Sequence, residues 1–463
     1  MRISVIGTGY VGLVSGVCLA AKGHDVIAVD KRREVINRIN RTETPIYEPG
    51  LDGLLKQTLQ NGKLIADCDL RTAVMNSDIS LITVGTPCKG GKIDLSYLEA
   101  AAREIGRLLT YKESYHVVCV KSTVVPTTTD TLVKNTLESV SGKKIADFGL
   151  AMNPEFLREG KAVEDFMHPD RIVIGAYDAR SFETMRKVYD GLFDAPILGV
   201  NLRTAEMIKY ASNILLADLI SYSNEIASVC EQMGGVDVTE VLEGVSLDKR
   251  FSPKVDGRLI RPEMNKYLRA GCGFGGSCFP KDVKALVAFA REKGYVPRLM
   301  QSVMEINEAQ PVRLINRLER ALGDLSGKKI ALLGVAFKPD TDDVRESPAL
   351  VMIKYLLEKN AVVYAADPVA LENAKQVLPG EYGRLVFTED YKAVLQDAEA
   401  AILVTAWPQF MRLEPDECRK LMKLPLIVDG RRVYQRNTWE DAGFKYLGVG
   451  LSEYNNTGGK EGG

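Results

Sequence analysis

Residues 3–12 read ISVIGTGYVG, a short apolar run that passes directly into a glycine-rich turn. A helical pattern rich in small residues follows over 13–21, and a second apolar run, 25–29, ends in Asp30. Glycines in such a turn let the backbone approach a pyrophosphate at a helix N-terminus, and a carboxylate after the second strand accepts adenosine ribose hydroxyls. The stretch therefore predicts a dinucleotide-binding unit, with cofactor contacts at Gly7, Gly9, Tyr10, Val11, Gly12 and Asp30.

The residues after Asp30 bear on which dinucleotide is bound. Lys31, Arg32 and Arg33 follow it, and basic side chains at this point can accommodate the extra phosphate of NADP. Asp30 itself would repel that phosphate. We expect NAD as the cofactor, with NADP as the open alternative.

Further apolar runs at 79–84, 116–120 and 149–152 indicate strands that alternate with helices. This alternation is typical of a parallel, doubly wound α/β sheet, in which ligands lie beyond the carboxyl ends of the strands. Thr86 and Thr123 follow two of these runs and are predicted to contact the nicotinamide half of the cofactor.

A second α/β unit starts near Gly327. Its predicted strands are 330–333, 362–366, 401–404 and 426–428. The loop after the first of them reads GVAFKP and lacks the GxGxxG spacing, so this half is not expected to bind a second dinucleotide.

Residues 201–234 carry the longest helical pattern in the chain. Its apolar side chains recur every three or four positions at Ile208, Ala211, Leu215, Leu219, Tyr222, Ile226 and Val229. A helix of about 30 residues spans about 45 Å. It should join the two α/β units and bury a face against another surface, which we expect to be a second subunit in a homodimer or higher homo-oligomer.

The predicted fold is therefore α/β, with two Rossmann-like doubly wound parallel-sheet domains joined by a long central helix. The predicted domains are an NAD-binding Rossmann domain at 1–200, a central helical dimerisation and active-site region at 201–310, a C-terminal Rossmann-like domain at 311–455 and a disordered tail at 456–463.

The composition is that of a globular protein, because 46% of the 463 residues are hydrophobic and the net charge is -1. Such balanced charge suggests neither a nucleic-acid nor a membrane partner. The first apolar run is too short for a signal peptide or a membrane span, so we expect a cytoplasmic protein. Eight cysteines without a CxxC pair, and three histidines, indicate that no metal is bound.

A second glycine cluster, GCGFGGSCFPKD at 271–282, places a thiol, an amine and a carboxylate close together in sequence. Pro280 suits the first turn of a helix, so Cys278 should lie just before a helix N-terminus, where the dipole favours a thiolate. Lys281 could stabilise an oxyanion and Asp282 could act as acid or base. The alternative is that Cys278 only packs in a turn; the neighbouring Cys272 is assigned no role.

The run 273–282 closely resembles the catalytic-cysteine loop of the UDP-glucose/GDP-mannose dehydrogenase family, in the form of its UDP-glucose 6-dehydrogenase branch. The segment NPEFLREG at 153–160, Lys209 with Asn213 one helical turn later, and AFKPDTDDVRES at 336–347 match further motifs of the family. The resemblance extends from Met1 to about Val433.

The resemblance implies catalytic roles for Cys278, Lys209, Asn213, Asp282, Glu159 and Thr123. It implies substrate contacts at Glu155, Phe156, Leu157, Arg158, Lys209, Asn213, Tyr267, Gly275, Lys338 and Arg345, with UDP held by the C-terminal half. Lys209 and Asn213 would stabilise negative charge on the substrate oxygen. If the turn that contains Glu155 and Glu159 is helical, their spacing puts both carboxylates on one face.

The implied reaction is the NAD-dependent, four-electron oxidation of UDP-glucose to UDP-glucuronate through a thiohemiacetal and a thioester on Cys278. A water activated by Asp282 or Glu159 would release the product. Covalent capture divides a difficult oxidation into two hydride transfers.

Three other functions are weighed against this one. A GDP-mannose dehydrogenase shares almost all of this chemistry, although FPKD instead of LPKD after the cysteine favours UDP-glucose. A UDP-N-acetylhexosamine dehydrogenase usually has histidine before the cysteine and lacks the lysine, so Ser277 and Lys281 count against it. A non-catalytic nucleotide-sugar sensor would not need Cys278, Lys209 and Asp282.

One region departs from the family pattern. The segment 251–265 reads as an insertion of about ten residues before Tyr267. The family places an arginine here that reaches a neighbouring subunit's substrate, and Arg250, Arg258 and Arg261 all compete for that role.

Overall fold

The computed structural model describes residues 1–378 and 383–452, so the tail predicted at 456–463 lies outside the described residues. The chain divides into two compact units. Unit 1 comprises Met1–Ser212 with Lys284–Tyr295, and unit 2 comprises Asn213–Val283 and the chain from Val296 onward.

The strands of unit 1 begin and end close to the predicted apolar runs. They are β1 Arg2–Ile6, β2 Asp25–Val29, β3 Leu64–Asp67, β4 Ile79–Ile82, β5 Cys88–Lys89, β6 Lys92–Ile93, β7 Val117–Val120, β8 Gly149–Met152, β9 Ile172–Ala176 and β10 Ile197–Val200. Among the described residues, eight of them form one sheet in the order β10-β9-β8-β7-β4-β1-β2-β3, and β5 pairs with β6 in a separate hairpin. All neighbours in the large sheet are parallel except β8 and β9, which are antiparallel.

Helices cover both faces of this sheet. They are α1 Tyr10–Ala21, α2 Arg33–Asn40, α3 Leu51–Gln60, α4 Leu70–Met75, α5 Ser96–Leu109, α6 Lys134–Ser141, α7 Ala162–Met167 and α8 Ala179–Arg186. Alternate residues of one strand enter separate cores: Val117 packs with α1 and α3, whereas Val118 packs with α5 and α6. The predicted doubly wound arrangement is confirmed for this unit. Helix α1 begins three residues before the predicted 13–21, since the glycine turn itself starts the helix.

The long helix α9, Leu202–Met233, differs from the predicted 201–234 by one residue at each end. After it come α10 Val238–Ser246, the hairpin β11 Lys254–Val255 with β12 Arg258–Leu259, a 3-10 turn at Glu263–Tyr267, α11 Phe279–Glu292 and α12 Arg298–Leu322. The proposed insertion at 251–265 thus contains a hairpin. The division between the two units falls within α9 and within α11.

The sheet of unit 2 consists of β13 Lys329–Leu333, β14 Val362–Ala366, β15 Leu385–Thr388, β16 Ala400–Leu403, β17 Leu426–Asp429 and β18 Lys445–Gly448. The described strands are all parallel, in the order β15-β14-β13-β16-β17-β18. Its helices are α13 Pro348–Glu358, α14 Leu371–Val377, α15 Tyr391–Leu395, α16 Pro408–Met411, α17 Pro415–Leu421 and α18 Arg436–Asp441.

The turn after β13 differs from the dinucleotide turn of unit 1 because its backbone N–H groups donate hydrogen bonds to a side chain of the same unit. The backbone N–H groups of Val335 and Ala336 donate to Asp367 Oδ2 at 2.7 and 2.9 Å. Asp367 follows β14 and is fully buried. The groups that would face a pyrophosphate are thus already hydrogen-bonded within the unit.

Candidate active site

The glycine turn of unit 1 has the close packing that a pyrophosphate site needs. A Cβ at Gly12 would lie 1.8 Å from Gly7 O and 2.6 Å from Thr83 Oγ1, so only glycine brings α1 this close to the preceding strand. The N-cap residue of α1 is Gly9, which has no side chain to compete for the first N–H groups of the helix. The turn therefore fits the pyrophosphate of NAD.

Asp30 lies at the end of β2, where the predicted ribose carboxylate should be. Its Oδ2 accepts hydrogen bonds from Thr8 N at 3.0 Å and Thr8 Oγ1 at 2.9 Å, and its Oδ1 accepts one from Arg32 Nε at 3.1 Å. Burial alone would raise the pKa of Asp30, but the hydrogen bonds from Arg32 and Thr8 outweigh it and lower the pKa to about 2. The neighbouring Lys31 pairs with Glu104 at 3.0 Å. The carboxylate therefore stays negatively charged beside a single paired arginine.

We expect the wild-type protein to prefer NAD over NADP by at least about tenfold in kcat/KM, because a fixed Asp30 carboxylate repels a 2′-phosphate. Asp30→Ser should reduce or reverse this preference, since Arg32 is then released to bind the phosphate. The double variant Asp30→Ser/Arg32→Ala is the matched control and should gain less NADP activity. Equal use of both cofactors by the wild type would refute the assignment.

The two predicted nicotinamide residues are joined by a hydrogen bond. Thr86, after β4, donates from Oγ1 to Thr123 O, after β7, at 2.8 Å. Ser122 Oγ donates to Val84 O at 2.6 Å and ties the same two loops together. Both threonines thus lie at the carboxyl ends of adjacent strands, as the sequence predicted.

The segment 153–160 is not helical, so the condition under which Glu155 and Glu159 would share one face is not met. Instead Glu155 Oε1 lies 3.0 Å from Lys209 Nζ on α9, and the two side chains are only 6% and 4% exposed. Glu155 Oε2 accepts the N–H of Leu157 at 2.7 Å. Burial acts to raise the pKa of Glu155, but Lys209 and this N–H outweigh it and lower the pKa. A buried ion pair is therefore formed by two of the predicted substrate residues.

Other members of this segment also contact neighbours within unit 1. The ring of Phe156 packs against the Arg171 guanidinium, with 3.9 Å between the ring centroid and the guanidinium carbon. The guanidinium of Arg158, predicted to bind the substrate, pairs with Asp165 of α7 at 2.6 Å. The side chain of Arg158 therefore fixes the end of the segment onto α7.

In unit 2, Cys278 lies immediately before α11, as predicted. Its thiol is half-buried, and Ser277 Oγ lies 3.5 Å from its Sγ. Asp282, in the first turn of α11, is buried, accepts a hydrogen bond from Asn213 Nδ2 at 2.6 Å and forms an ion pair with Lys281. The structure thus brings three predicted polar groups, Asn213 from α9 and Lys281 and Asp282 from α11, into one cluster at the first turn of the helix that begins after the thiol.

Gly275, predicted to contact the substrate, has a packing reason to be glycine. A Cβ there would lie 2.4 Å from Glu346 O, and the next residue, Gly276, donates its N–H to Arg345 O at 2.8 Å. The cysteine loop is therefore held against the segment 343–346. The guanidinium of Arg345 pairs with Asp343 at 2.7 Å.

The remaining predicted residues of unit 2 are partly buried. The ring centroid of Tyr267 lies 6.4 Å from that of Phe279, and Lys338 Nζ lies 5.6 Å from the ring centroid of Phe337. Cys272 is fully buried, and burial raises the pKa of its thiol to about 11. This cysteine therefore packs in the core, which agrees with its having been assigned no role.

The three competing arginines differ in their contacts. Arg250 pairs with Asp248 at 2.7 Å, and Arg261 pairs with Glu243. The described part of the chain supplies no hydrogen-bond or ion-pair partner to Arg258, in the exposed hairpin strand β12. Arg258 is thus the one whose guanidinium is available without breaking an ion pair.

Comparison with known proteins decides the family. Residues 1–193, 203–309 and 331–436 match the NAD binding, central and UDP binding domains of the UDP-glucose/GDP-mannose dehydrogenase family. The UDP-glucose 6-dehydrogenase of Rhizobium meliloti is 42% identical over 97% of this chain and 99% of its own length, and that of Bacillus subtilis is 41% identical over 97% and 93%. A solved UDP-glucose dehydrogenase structure from Pyrobaculum islandicum is 41% identical, covers 97% of both chains and has a TM-score of 0.87.

The chain belongs to the UDP-glucose/GDP-mannose dehydrogenase family. As a member of this family it is an NAD-binding nucleotide-sugar dehydrogenase with a UDP binding domain. Within the described residues of this dehydrogenase, no helix is long and apolar enough to cross a membrane, and no group of three or more His, Cys, Asp or Glu residues could hold a metal ion.

Three buried charged residues of this dehydrogenase were missed by the sequence analysis. Lys121 donates from Nζ to Asn153 Oδ1 at 2.8 Å, and burial lowers its pKa to about 8. Glu206 and Glu48 bind backbone N–H groups of distant loops. Lys121 had a local signal, because it directly follows an apolar strand. The glutamates had no such signal, since their partners are far away in the sequence.

Glu206, one turn before Lys209 on α9, fixes the loop that follows Thr123. Its two carboxylate oxygens accept the N–H groups of Thr127 and Thr129, each at 2.7 Å. Burial raises the pKa of Glu206 to about 7 in spite of these bonds. A folded-state pKa above the usual value of 4.5 means that the stability contributed by protonation is complete below pH 4.5 and is lost as the pH rises through 7.

Glu206→Gln cannot ionise, so its stability relative to the wild type should rise by on the order of 3 kcal/mol as the pH increases from about 4.5 to about 8, whatever the pH-independent cost of its altered hydrogen bonds. Melting temperatures of both proteins across this range would show the change. The exposed Glu113→Gln is the control and should show none. A wild-type-minus-variant difference that is constant with pH would contradict the prediction.

Proposed function

We propose that this chain is an NAD-dependent UDP-glucose 6-dehydrogenase that oxidises UDP-glucose to UDP-glucuronate. The observation that carries the proposal is the thiol of Cys278 immediately before α11, with Lys281 and Asp282 in the first turn of that helix and Asn213 of α9 hydrogen-bonded to Asp282. The relatives that carry this name match the chain over nearly its whole length.

In the proposed reaction, the glycine turn at 7–12 and Asp30 would hold NAD, which would supply the hydride acceptor for each of two successive oxidations. The Cys278 thiolate attacks the carbon of the C6 aldehyde, so that a C–S bond forms and the carbonyl oxygen becomes negative. Lys209 and Asn213 donate hydrogen bonds to this oxygen, which stabilises the charge as it develops. After the second oxidation the sugar is a thioester on Cys278.

Hydrolysis then releases the product. Water adds to the thioester carbon, its proton passes to Asp282 or Glu159, and the C–S bond breaks to return the thiolate. In the structure, Asp282 is hydrogen-bonded to Asn213 and paired with Lys281, so it has to give up one of these partners before it accepts a proton. Thr123 is proposed to orient the reacting groups from its loop after β7.

Substrate-binding roles are proposed for residues of each unit separately. From unit 1, Glu155 to Arg158 would hold the sugar, with the Lys209–Glu155 pair rearranging as the oxyanion forms. From unit 2, Tyr267, Gly275, Lys338 and Arg345 would hold the UDP moiety. The match of 331–436 to the UDP binding domain of the family supports this assignment.

A substrate panel tests the proposal. Purified protein is incubated with UDP-glucose, GDP-mannose or UDP-N-acetylglucosamine and with NAD or NADP, and absorbance and product mass are followed. We expect NADH from UDP-glucose, two per sugar consumed, and UDP-glucuronate as the product. Preferential oxidation of GDP-mannose would establish a GDP-mannose dehydrogenase instead. If no sugar gave NADH, the non-catalytic nucleotide-sugar sensor would be the remaining function.

We also propose that the protein is a homodimer through α9. Four exposed apolar side chains follow one face of this helix at intervals of seven and four residues. They are Leu215, Tyr222, Val229 and Met233, whose exposed fractions are 51%, 45%, 52% and 65%. The described residues supply no hydrogen bond to the buried oxygen Oδ1 of Asp218 on the same helix. An exposed apolar face of this length is suited to an isologous contact.

The double variant Leu215→Glu/Tyr222→Glu should be monomeric at micromolar concentration, because a twofold contact would bring its new charges together. Tyr111→Glu, which changes a more exposed aromatic of unit 1, is the control and should remain dimeric like the wild type. Sedimentation velocity measures all three. A wild-type monomer with full activity would exclude the interface.

A further inference from the structure

One buried carboxylate of unit 1 connects two loops that the proposed reaction uses for different ligands. Glu48 lies between α2 and α3 and is 5% exposed. Its Oε2 accepts the N–H of Gly160 at 2.8 Å and its Oε1 accepts the N–H of Ala162 at 2.7 Å. The hydroxyl of Tyr10 donates to Oε2 as well. All the donors come from segments distant in sequence from Glu48.

The donors belong to the two loops in question. Tyr10 is the first residue of α1 and lies within the glycine turn that fits the pyrophosphate. Gly160 directly follows Glu159 at the end of the sugar segment, and its N–H also lies 3.0 Å from the Tyr10 hydroxyl oxygen. The glycine turn and the sugar segment are therefore joined through one carboxylate and one phenol.

The chemistry of this connection requires a charged carboxylate and a protonated phenol. Burial raises the pKa of Tyr10, and the adjacent Glu48 raises it further, so the phenol keeps its proton and donates it in the hydrogen bond. A glutamine in place of Glu48 would turn an NH₂ group toward one of the N–H donors, and at least one of them would lose its acceptor. Replacing one carboxylate oxygen of Glu48 by an NH₂ group is therefore enough to remove a hydrogen bond from the connection between the two loops.

We propose that Glu48 is a positioning residue that couples cofactor binding to sugar binding. NAD on the glycine turn restrains Tyr10, Glu48 transmits this restraint to Gly160, and the sugar segment is held ready for its ligand. Since linkage is reciprocal, the sugar must strengthen NAD binding by the same factor. The inference rests on the proposed function, because the roles assigned to the turn and to the segment are taken from it.

Calorimetry with ligands that do not react measures the coupling directly. UDP-glucuronate, the proposed product, is titrated into wild-type protein with and without saturating NAD, and UDP serves as the probe that lacks the sugar. We expect NAD to strengthen UDP-glucuronate binding about 5- to 150-fold, the usual range of coupling between two sites, and UDP binding by less than twofold. The exposed Glu113→Gln should retain this coupling.

Glu48→Gln should bring the NAD-induced factor for UDP-glucuronate close to one and leave the affinity for UDP unchanged. Tyr10→Phe removes a single oxygen and keeps both N–H bonds to Glu48, so it should lose part of the coupling even if the glutamine variant does not fold. Weaker binding with the coupling factor intact in Tyr10→Phe, or no coupling in the wild type, would overturn the inference. Neither result would stop NADH formation from UDP-glucose, so the proposed function is tested separately.

Discussion

Cys278→Ala is expected to abolish sustained NADH formation from UDP-glucose, with a loss of at least about 10³-fold in kcat. Alanine offers no nucleophile to capture the aldehyde, so the second oxidation has no thiohemiacetal to act on. Binding of UDP-glucose should be nearly unchanged, because the thiol bonds to the sugar only after the first oxidation. Steady-state absorbance and calorimetry measure the two quantities.

Two further variants test whether the loss of activity is specific to the thiol of Cys278. Cys272→Ala should turn over near the wild-type rate and only lower the melting temperature, since Cys272 is fully buried and packs in the core. Cys278→Ser should stall as an ester, because an alkoxide is a much poorer leaving group than a thiolate. Mass spectrometry should then find a uridine-diphosphoglucuronyl adduct on the peptide with position 278. Wild-type turnover by Cys278→Ala, or inactivity of Cys272→Ala, would disprove the mechanism.

Lys209→Met should reduce both stability and activity. It leaves the Glu155 carboxylate buried without its cation, which costs about 3–5 kcal/mol, and it removes a donor to the proposed oxyanion, which costs about 10²–10³-fold in kcat. Thermal unfolding and steady-state kinetics measure the two losses independently.

The double variant Lys209→Met/Glu155→Gln separates these two effects. Removing the charge of Glu155 should recover most of the lost stability, because the buried carboxylate that lost its Lys209 partner is then no longer charged. Activity should stay low, because the oxyanion donor is still missing. If the double variant regains activity together with stability, Lys209 acts only through packing and its catalytic assignment fails.

The strands were predictable because they are apolar on both faces. In β4, β7 and β8 every residue is buried, which gives largely apolar runs that can be recognised in the local sequence. The burial of Lys209 was also indicated by its apolar neighbours on α9. The pairing of Lys209 with Glu155 was not indicated by the sequence, because the two residues are far apart in the chain and come together only when it folds.

The absence of a helix at 153–160 has a local cause. Asn153 binds Lys121 through Oδ1 and donates from Nδ2 to Val173 O at 2.8 Å, while the Glu155 carboxylate takes the N–H of Leu157. Polar side chains that bond to the backbone in this way compete with helical hydrogen bonds. The positions of Glu48 and Glu206 could not be predicted for a different reason: each binds donors in loops whose conformation the sequence pattern leaves open.

The continuity of α9 limits how this chain can change in evolution. Lys209 belongs to one unit and Asn213 to the other, yet both lie on the same uninterrupted helix. Their separation is fixed by helix geometry at about 6 Å along the axis and does not depend on the packing of either unit. Inserting one residue between them would rotate Asn213 by about 100° away from Lys209. A surface hairpin such as β11–β12 can change in length without moving these two groups, whereas an insertion or deletion within the four-residue interval would turn them apart.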